Sequence, residues 1–383
     1  MSVTVPAGFR AAGVAAGLKS SGAPDLAIVV NDGPDFHAAG VFTTNRVQAA
    51  PVTWSRQVLA DGRVDAVLLN SGGANACTGA PGFQDTHRSA EYAAAALGVA
   101  PGDTAICSTG LIGARLPIDL VLAGVDAACA QLSADGGDMA ARAIMTTDTV
   151  PKTAAATREG WSVGGMAKGA GMLAPALATM LVVLTTDAVV DPSTLDGVLR
   201  SATSRTFDRI DSDGCMSTND TVLLLSSGAS GVQPSIEDLT EAVTEVCATL
   251  ARALIADAEG AHHDISIEVR QAVSEADALE VARAVARNNL FKCAVFGNDP
   301  NWGRVLAAVG TTAAAFDPTA LDVVMNGVQV ARAGGLGEDR ALVDLSSREC
   351  HVVIDLHAGS ESATVWTNDL THDYVHENSA YSS

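Results

Sequence analysis

Apolar positions follow two rhythms that alternate along this chain of 383 residues. Short continuous apolar runs at 26–30 and 66–70 predict buried strands. Residues 89–97 and 118–132 are rich in Ala and Leu with charges spaced between them, which predicts helices. Pro234 followed by Ser235, Ile236, Glu237 and Asp238 reads as a helix start, and apolar residues at helical spacing continue through Leu254 to Asp257. Residues 265–269 alternate like a half-buried strand, and 276–288 return to helical spacing. Asn326-Gly327 between the β-branched residues of 323–330 predicts a hairpin, with further strands at 352–356 and 363–367. No linker, charge block or fixed-period repeat separates these elements. The expected fold class is therefore α/β (α+β), built in layers.

Composition narrows the function. Hydrophobic residues make up 48% and charged ones 17%, which supports a large core and argues against disorder. A net charge of −21 disfavours nucleic acid and anionic membranes as partners, because both reward clustered Lys and Arg. Its ordinary consequence is solubility, with some attraction for a cationic substrate. Seven cysteines form no C-x-x-C pair, and the odd number points to free thiols in a reducing compartment. The N-terminal residues lack the apolar core of a signal peptide, and the best apolar run is interrupted by Pro175. A soluble, cytoplasmic protein is expected. Residues 164–171 are glycine-rich, but match neither the dinucleotide-binding nor the Walker spacing.

Chemistry concentrates around Thr179. A threonine hydroxyl is a weak nucleophile until a base takes its proton. Thr179 would carry its own base, an α-amine with a reference pKa of about 7.7–8.0, if the chain were cut between Ala178 and Thr179. On local pattern alone, residues 173–184 suit one buried strand better, with Thr179 an ordinary β-branched member. Thr109-Gly110 could donate to an oxyanion through the glycine N–H and the threonine hydroxyl, or could be a capped strand-to-helix turn. Lys168, among glycines, and Glu259, before Gly260 at an expected helix end, could bind a carboxylate and an amino group. Taken singly they read as solvated surface charges. Cys107 has no histidine partner in sequence and reads as a buried small residue, while Asn75, Trp302 and Arg304 read as structural.

Eight segments together change those odds: KGAGMLAPALATML at 168–181, NSGGANACTG at 70–79, CSTGLIG at 107–113, AIMTTDT at 143–149, STNDT at 217–221, DAEG at 257–260, DPNWGR at 299–304 and ENSAYSS at 377–383. In order and spacing they resemble the ornithine acetyltransferase (glutamate N-acetyltransferase) family over nearly the whole chain. The resemblance implies a helix–sheet–sheet–helix sandwich and self-cleavage between Ala178 and Thr179. The products would be an α subunit of residues 1–178 and a β subunit of 179–383, two of each assembling. It further implies catalysis by Thr179, Thr109 and Gly110, and substrate binding by Thr147, Lys168, Thr179, Glu259, Asn378 and Ser383.

The implied reaction moves acetyl from N-acetylornithine to glutamate in arginine biosynthesis, through an acetyl-threonine and without metal or organic cofactor. Acetyl-coenzyme A is a further donor for some members, with no residue signature. Two departures stand out. His262-His263 replaces a threonine-lysine pair usual in the family, and Ser212 replaces a commoner apolar residue or threonine. Adjacent histidines in a strand would face opposite ways, which disfavours a shared metal. Two alternatives remain: an N-terminal-nucleophile hydrolase or aminopeptidase that uses water as acceptor, and an uncleaved ligand-binding protein.

Overall fold

The computed structural model describes residues 2–174 and 180–380; Ala178, Thr179 and Ser383 lie outside the described residues. The chain divides into two units, the first drawn from Met1–Asp208 and Cys215–Asp257, the second from Arg209–Gly214 and Ala258–Ser382.

The first unit contains strands β1 (Phe9–Val14), β2 (Leu26–Asn31), β3 (His37–Phe42), β4 (Ala66–Asn70), β5 (Thr104–Ser108), β6 (Lys152–Arg158), β7 (Trp161–Lys168), β8 (Leu181–Thr186) and β9 (Thr221–Ser226). Its helices are α1 (Ala50–Val58), α2 (Gly79–Leu97), α3 (Ile118–Cys129), α4 (Gly137–Ala143), α5 (Pro192–Arg205) and α6 (Ile236–Ala256). One sheet has the order β1-β2-β4-β5, the other β3-β9-β8-β7-β6. Strands β2, β4, β5, β8 and β9 are buried at every position, which is why they read as unbroken apolar runs rather than as alternations.

The two sheets share one core, in which Val29, Val67 and Leu69 meet Leu181, Val183, Leu223 and Leu225. Burying each such side chain is worth about 1.5–3 kcal/mol relative to leaving it exposed. On the outer face of the first sheet, Val121, Val125 and Ala128 of α3 and Ala90 and Ala93 of α2 pack against Ile28, Leu68 and Ile106. Helices α5 and α6 cover the second sheet. Gly165 of β7 lets α6 approach, because a Cβ there would lie 3.0 Å from side-chain atoms of Leu250 and Val246. The layers are thus helix, sheet, sheet, helix, as expected. Ser235 caps α6, its Oγ accepting the Asp238 N–H at 3.0 Å.

The second unit contains β10 (Asp264–Ala272), α7 (Glu275–Ala286), α8 (Asn289–Phe296), α9 (Trp302–Val309), β11 (Asp322–Met325), β12 (Val328–Arg332), β13 (Gly335–Leu336), β14 (Glu349–Asp355), β15 (Glu361–Asn368) and α10 (His372–Ala380). Its sheet order is β13-β12-β11-β14-β10-β15. Asn326 (φ 44°) and Gly327 (φ 86°) form the turn of the β11–β12 hairpin, both on the positive side that a tight two-residue turn requires.

Three boundaries differ from expectation. Helix α2 begins ten residues early, at Gly79, because Pro81 falls in the first turn, where its missing N–H costs nothing. Glu259 does not end α6; the helix stops at Ala256 with Asp257 as its C-cap. His262 and His263 precede β10 instead of lying within it.

Candidate active site

The first unit brings Thr109, Gly110 and Lys168 together. Lys168 ends β7 and is only 1% exposed, so it is no solvated surface charge. Its ammonium donates to Thr109 Oγ1 at 3.2 Å. Thr109 follows β5, and its own N–H donates to Asn70 O at the end of the parallel neighbour β4. Gly110 has φ +127° and a Cβ there would meet Gly73 N at 2.9 Å, so both conformation and space demand glycine. No described residue accepts from the Gly110 N–H. With Lys168 occupying a lone pair of Thr109 Oγ1, the hydroxyl proton is left to point elsewhere. The turn therefore has two donors to offer, one from each residue.

A buried ionic network locks the adjacent loops. Asp148 Oδ1 accepts from Lys152 Nζ (2.6 Å) and from the Gly169 N–H (2.7 Å), and Oδ2 accepts from the Thr146 N–H (2.9 Å). Lys152 Nζ also donates to Asp257 Oδ2 at 2.6 Å, and Asp257 accepts the N–H and hydroxyl of Thr149. Burial pushes the Asp148 carboxyl up, but the ammoniums of Lys168 and Lys152, with the Gly169 N–H, hold it below the ordinary value. The loop that carries half-buried Thr147 is thereby clipped to the turn after Lys168. Sequence reasoning passed over Asp148 and Lys152. The available signal was an acid inside the 143–149 segment with a lysine four residues on.

A second set of polar contacts braces the Thr109 turn. Asn219 Nδ2 donates to Ser108 O at 2.5 Å, and Asn70 Nδ2 donates to Ser108 Oγ at 2.7 Å. The neighbouring Asp220 accepts the Met180 N–H through Oδ1 at 3.1 Å. The 217–221 segment thus reaches both the expected oxyanion turn and the residue that follows Thr179.

In the second unit, Asn378 Nδ2 donates to Glu259 Oε2 at 2.9 Å and to Tyr374 O at 3.0 Å. Gly260 (φ +60°) makes this possible: a Cβ there would sit 2.1 Å from Tyr374 N, so α10 rests directly on the glycine. Thr371 Oγ1 adds a bond to Gly260 O at 2.6 Å. Residues 372–380 are a docked helix, not a frayed tail. Burial raises the Glu377 carboxyl above its usual value, and the charges of Glu259 and Asp373 add to it. This acidic group favours a bound cation. Thr179 and Ser383 lie outside the described residues, and Thr147 and Lys168 belong to the other unit.

Comparison with known proteins decides the family. Residues 10–383 match the ArgJ family. The chain belongs to the ArgJ family. It is 65% identical over 383 residues to an arginine biosynthesis bifunctional protein ArgJ from Streptomyces coelicolor, covering 100% of both chains. Another of the same name, from Mycobacterium leprae, is 59% identical over 390 residues, covering 100% of this chain and 96% of the relative. Among solved structures, an ornithine acetyltransferase complexed with ornithine, from Mycobacterium tuberculosis, is 62% identical. That alignment covers 45% of this chain and 94% of the other, with a TM-score of 0.45.

Two other sequence-level candidates in this ArgJ-family chain resolve structurally. Burial pushes the Cys107 thiol up to about 12, so it stays protonated and is no nucleophile at neutral pH. His262 Nε2 lies 2.8 Å from Asp373 Oδ2, whereas buried His263 places Nδ1 2.7 Å from Asp369 Oδ2. Each histidine serves its own carboxylate, and His263 anchors the entry to β10.

Proposed function

We propose that this ArgJ-family chain is an acetyltransferase of arginine biosynthesis that cuts itself between Ala178 and Thr179. Thr179 then carries acetyl from N-acetylornithine to glutamate. The observation that carries this reading is the buried contact of Lys168 with Thr109, beside the open N–H of Gly110. The names borne by relatives of full-length similarity agree with it.

In the proposed reaction, Thr179 Oγ attacks the acetyl carbonyl while the terminal amine takes the hydroxyl proton. The oxyanion accepts from the Gly110 N–H and the Thr109 hydroxyl. Collapse breaks the C–N bond, and ornithine leaves with the proton, giving acetyl-threonine. The amine of glutamate then attacks this ester and regenerates the hydroxyl. The ester carries the group, so the scheme uses neither metal nor organic cofactor. Thr147, Lys168, Glu259, Asn378 and Ser383 bind substrate, with Glu259 for an amino group and Lys168 for a carboxylate. The relatives are named bifunctional, and the proposal includes acetyl-coenzyme A as a second donor to glutamate.

Strand topology supports a cut that leaves the fold whole. The cut falls in the connection between β7 and β8, which pair antiparallel from Lys168↔Leu181 to Val163↔Thr186. Strand β3 of the α subunit pairs with β9 of the β subunit as well. The two subunits, 1–178 and 179–383, share one sheet, and two copies of each are proposed to assemble. No helix among the described residues is long and apolar enough to cross a membrane; the proposed location is the cytoplasm.

Incubation with N-acetylornithine alone tests this reading. Acetyl on the peptide that begins at Thr179, and parallel initial-velocity lines with both substrates, are expected. Intersecting lines, or acetyl lost to water without glutamate, would contradict it.

A further inference from the structure

Asp220 is a fully buried carboxylate. It precedes β9, directly across the parallel ladder from Met180, since Leu181 pairs with Thr221. It is 0% exposed, and so is Met180. Its Oδ1 accepts the Met180 N–H at 3.1 Å, taking the place of a ladder carbonyl, while Met180 O accepts the Thr221 N–H at 3.2 Å. The N–H and the C=O of Met180, the residue before β8, are thus both held. Among the described residues no donor meets full hydrogen-bond geometry at Asp220 Oδ2, so the hydroxyls of Ser217 and Thr43 offset its burial only in part.

We infer that Asp220 is a positioning residue for the proposed nucleophile, acting through the amide of Met180. This rests on the reading of Thr179 above. Burial pushes the Asp220 carboxyl well above its ordinary value, and the Met180 N–H and the charge of Lys168 offset that only in part. In its neutral form the carboxyl would have a physical advantage here. It fixes the amide without acting as counter-ion to a nearby amine, so it does not stabilise the ammonium form at the expense of the base. The hydroxyls of Ser217 and Thr43 also face the group.

Asp220→Asn keeps a neutral acceptor for Met180; Asp220→Ala removes it. Each variant is made in the full-length chain, its melting is followed, and kcat is normalised to acetylatable sites. Asn should keep self-cleavage and kcat within a few fold, with the acid limb of the pH–kcat profile unmoved. Ala should lose roughly 100-fold in kcat with little change in KM, the scale expected of a misplaced nucleophile. Wild-type kcat in the Ala variant overturns the inference, and so does an Asn variant that is as inactive as Ala or has a shifted acid limb. If Ala fails to reach native melting, the Asn profile decides. Thr179→Ala separates the two readings: if it is still cut, the nucleophile assignment fails; if it is uncut while Asp220→Ala is fully active, only the role of Asp220 fails.

Discussion

Lys168 and Thr109 meet at 3.2 Å in the interior of the first unit, lysine ammonium to threonine hydroxyl, although 59 residues separate them in sequence. The contact gives a buried lysine a polar partner and fixes the orientation of a hydroxyl that would otherwise rotate. On the proposed mechanism, Lys168 orients the Thr109 hydroxyl besides binding a carboxylate, and the two residues then act on the same step. Thr109→Ala should lower kcat by about 10²–10³, the usual cost of one oxyanion donor, while Thr109→Ser keeps most activity. Lys168→Met should reproduce much of that loss. Steady-state kinetics on purified variants checks this, and unchanged kcat in Lys168→Met would separate the pair.

The Asp148–Lys152 pair is interior and Asp257 closes it at the margin, so breaking the network should be felt in stability. Asp148→Asn takes one of two carboxylates from the buried Lys152 ammonium, with an expected cost of about 1–3 kcal/mol near pH 7, read from urea midpoints. The pH dependence has a definite sign. The fold holds Asp148 below the ordinary range, so its contribution is fully present above the unfolded value of about 3.9 and is lost as pH falls through the folded value. Wild-type stability should decline on acidification below about pH 4, and the Asn variant should decline less.

Glu259 and Asn378 form one polar pair in the second unit, and only one substrate carries a side-chain amine. Glu259→Gln should raise KM for N-acetylornithine about 10–100-fold, the loss of a charged hydrogen bond, with a smaller effect on KM for glutamate. Equal effects on both would move Glu259 out of the ornithine site.

Legibility of this chain in its sequence follows the range of the forces involved. Strands buried on both faces, such as β4, are unbroken apolar runs, and Ser235 announces α6 through a local cap. The Asn326-Gly327 turn is equally local. The start of α2 is hidden, because Gly79, Pro81 and Gly82 look like a turn until Asn75 is seen to bond Gly82 O at 2.9 Å. Thr109, Gly110 and Lys168 rise above their ordinary readings only through resemblance, since their meeting depends on how two sheets stack. Asp148, Lys152 and Asp220 are inconspicuous for the same reason: spacing marks the charges, while burial alone gives them meaning.

The most direct test is intact-mass measurement and N-terminal sequencing of the purified native protein. Two polypeptides should be found, residues 1–178 and 179–383, the second beginning at Thr179. They should co-elute under native conditions, held by β7–β8 and β3–β9 pairing, and separate when denatured. A single uncut chain that transfers acetyl at full rate would contradict the account.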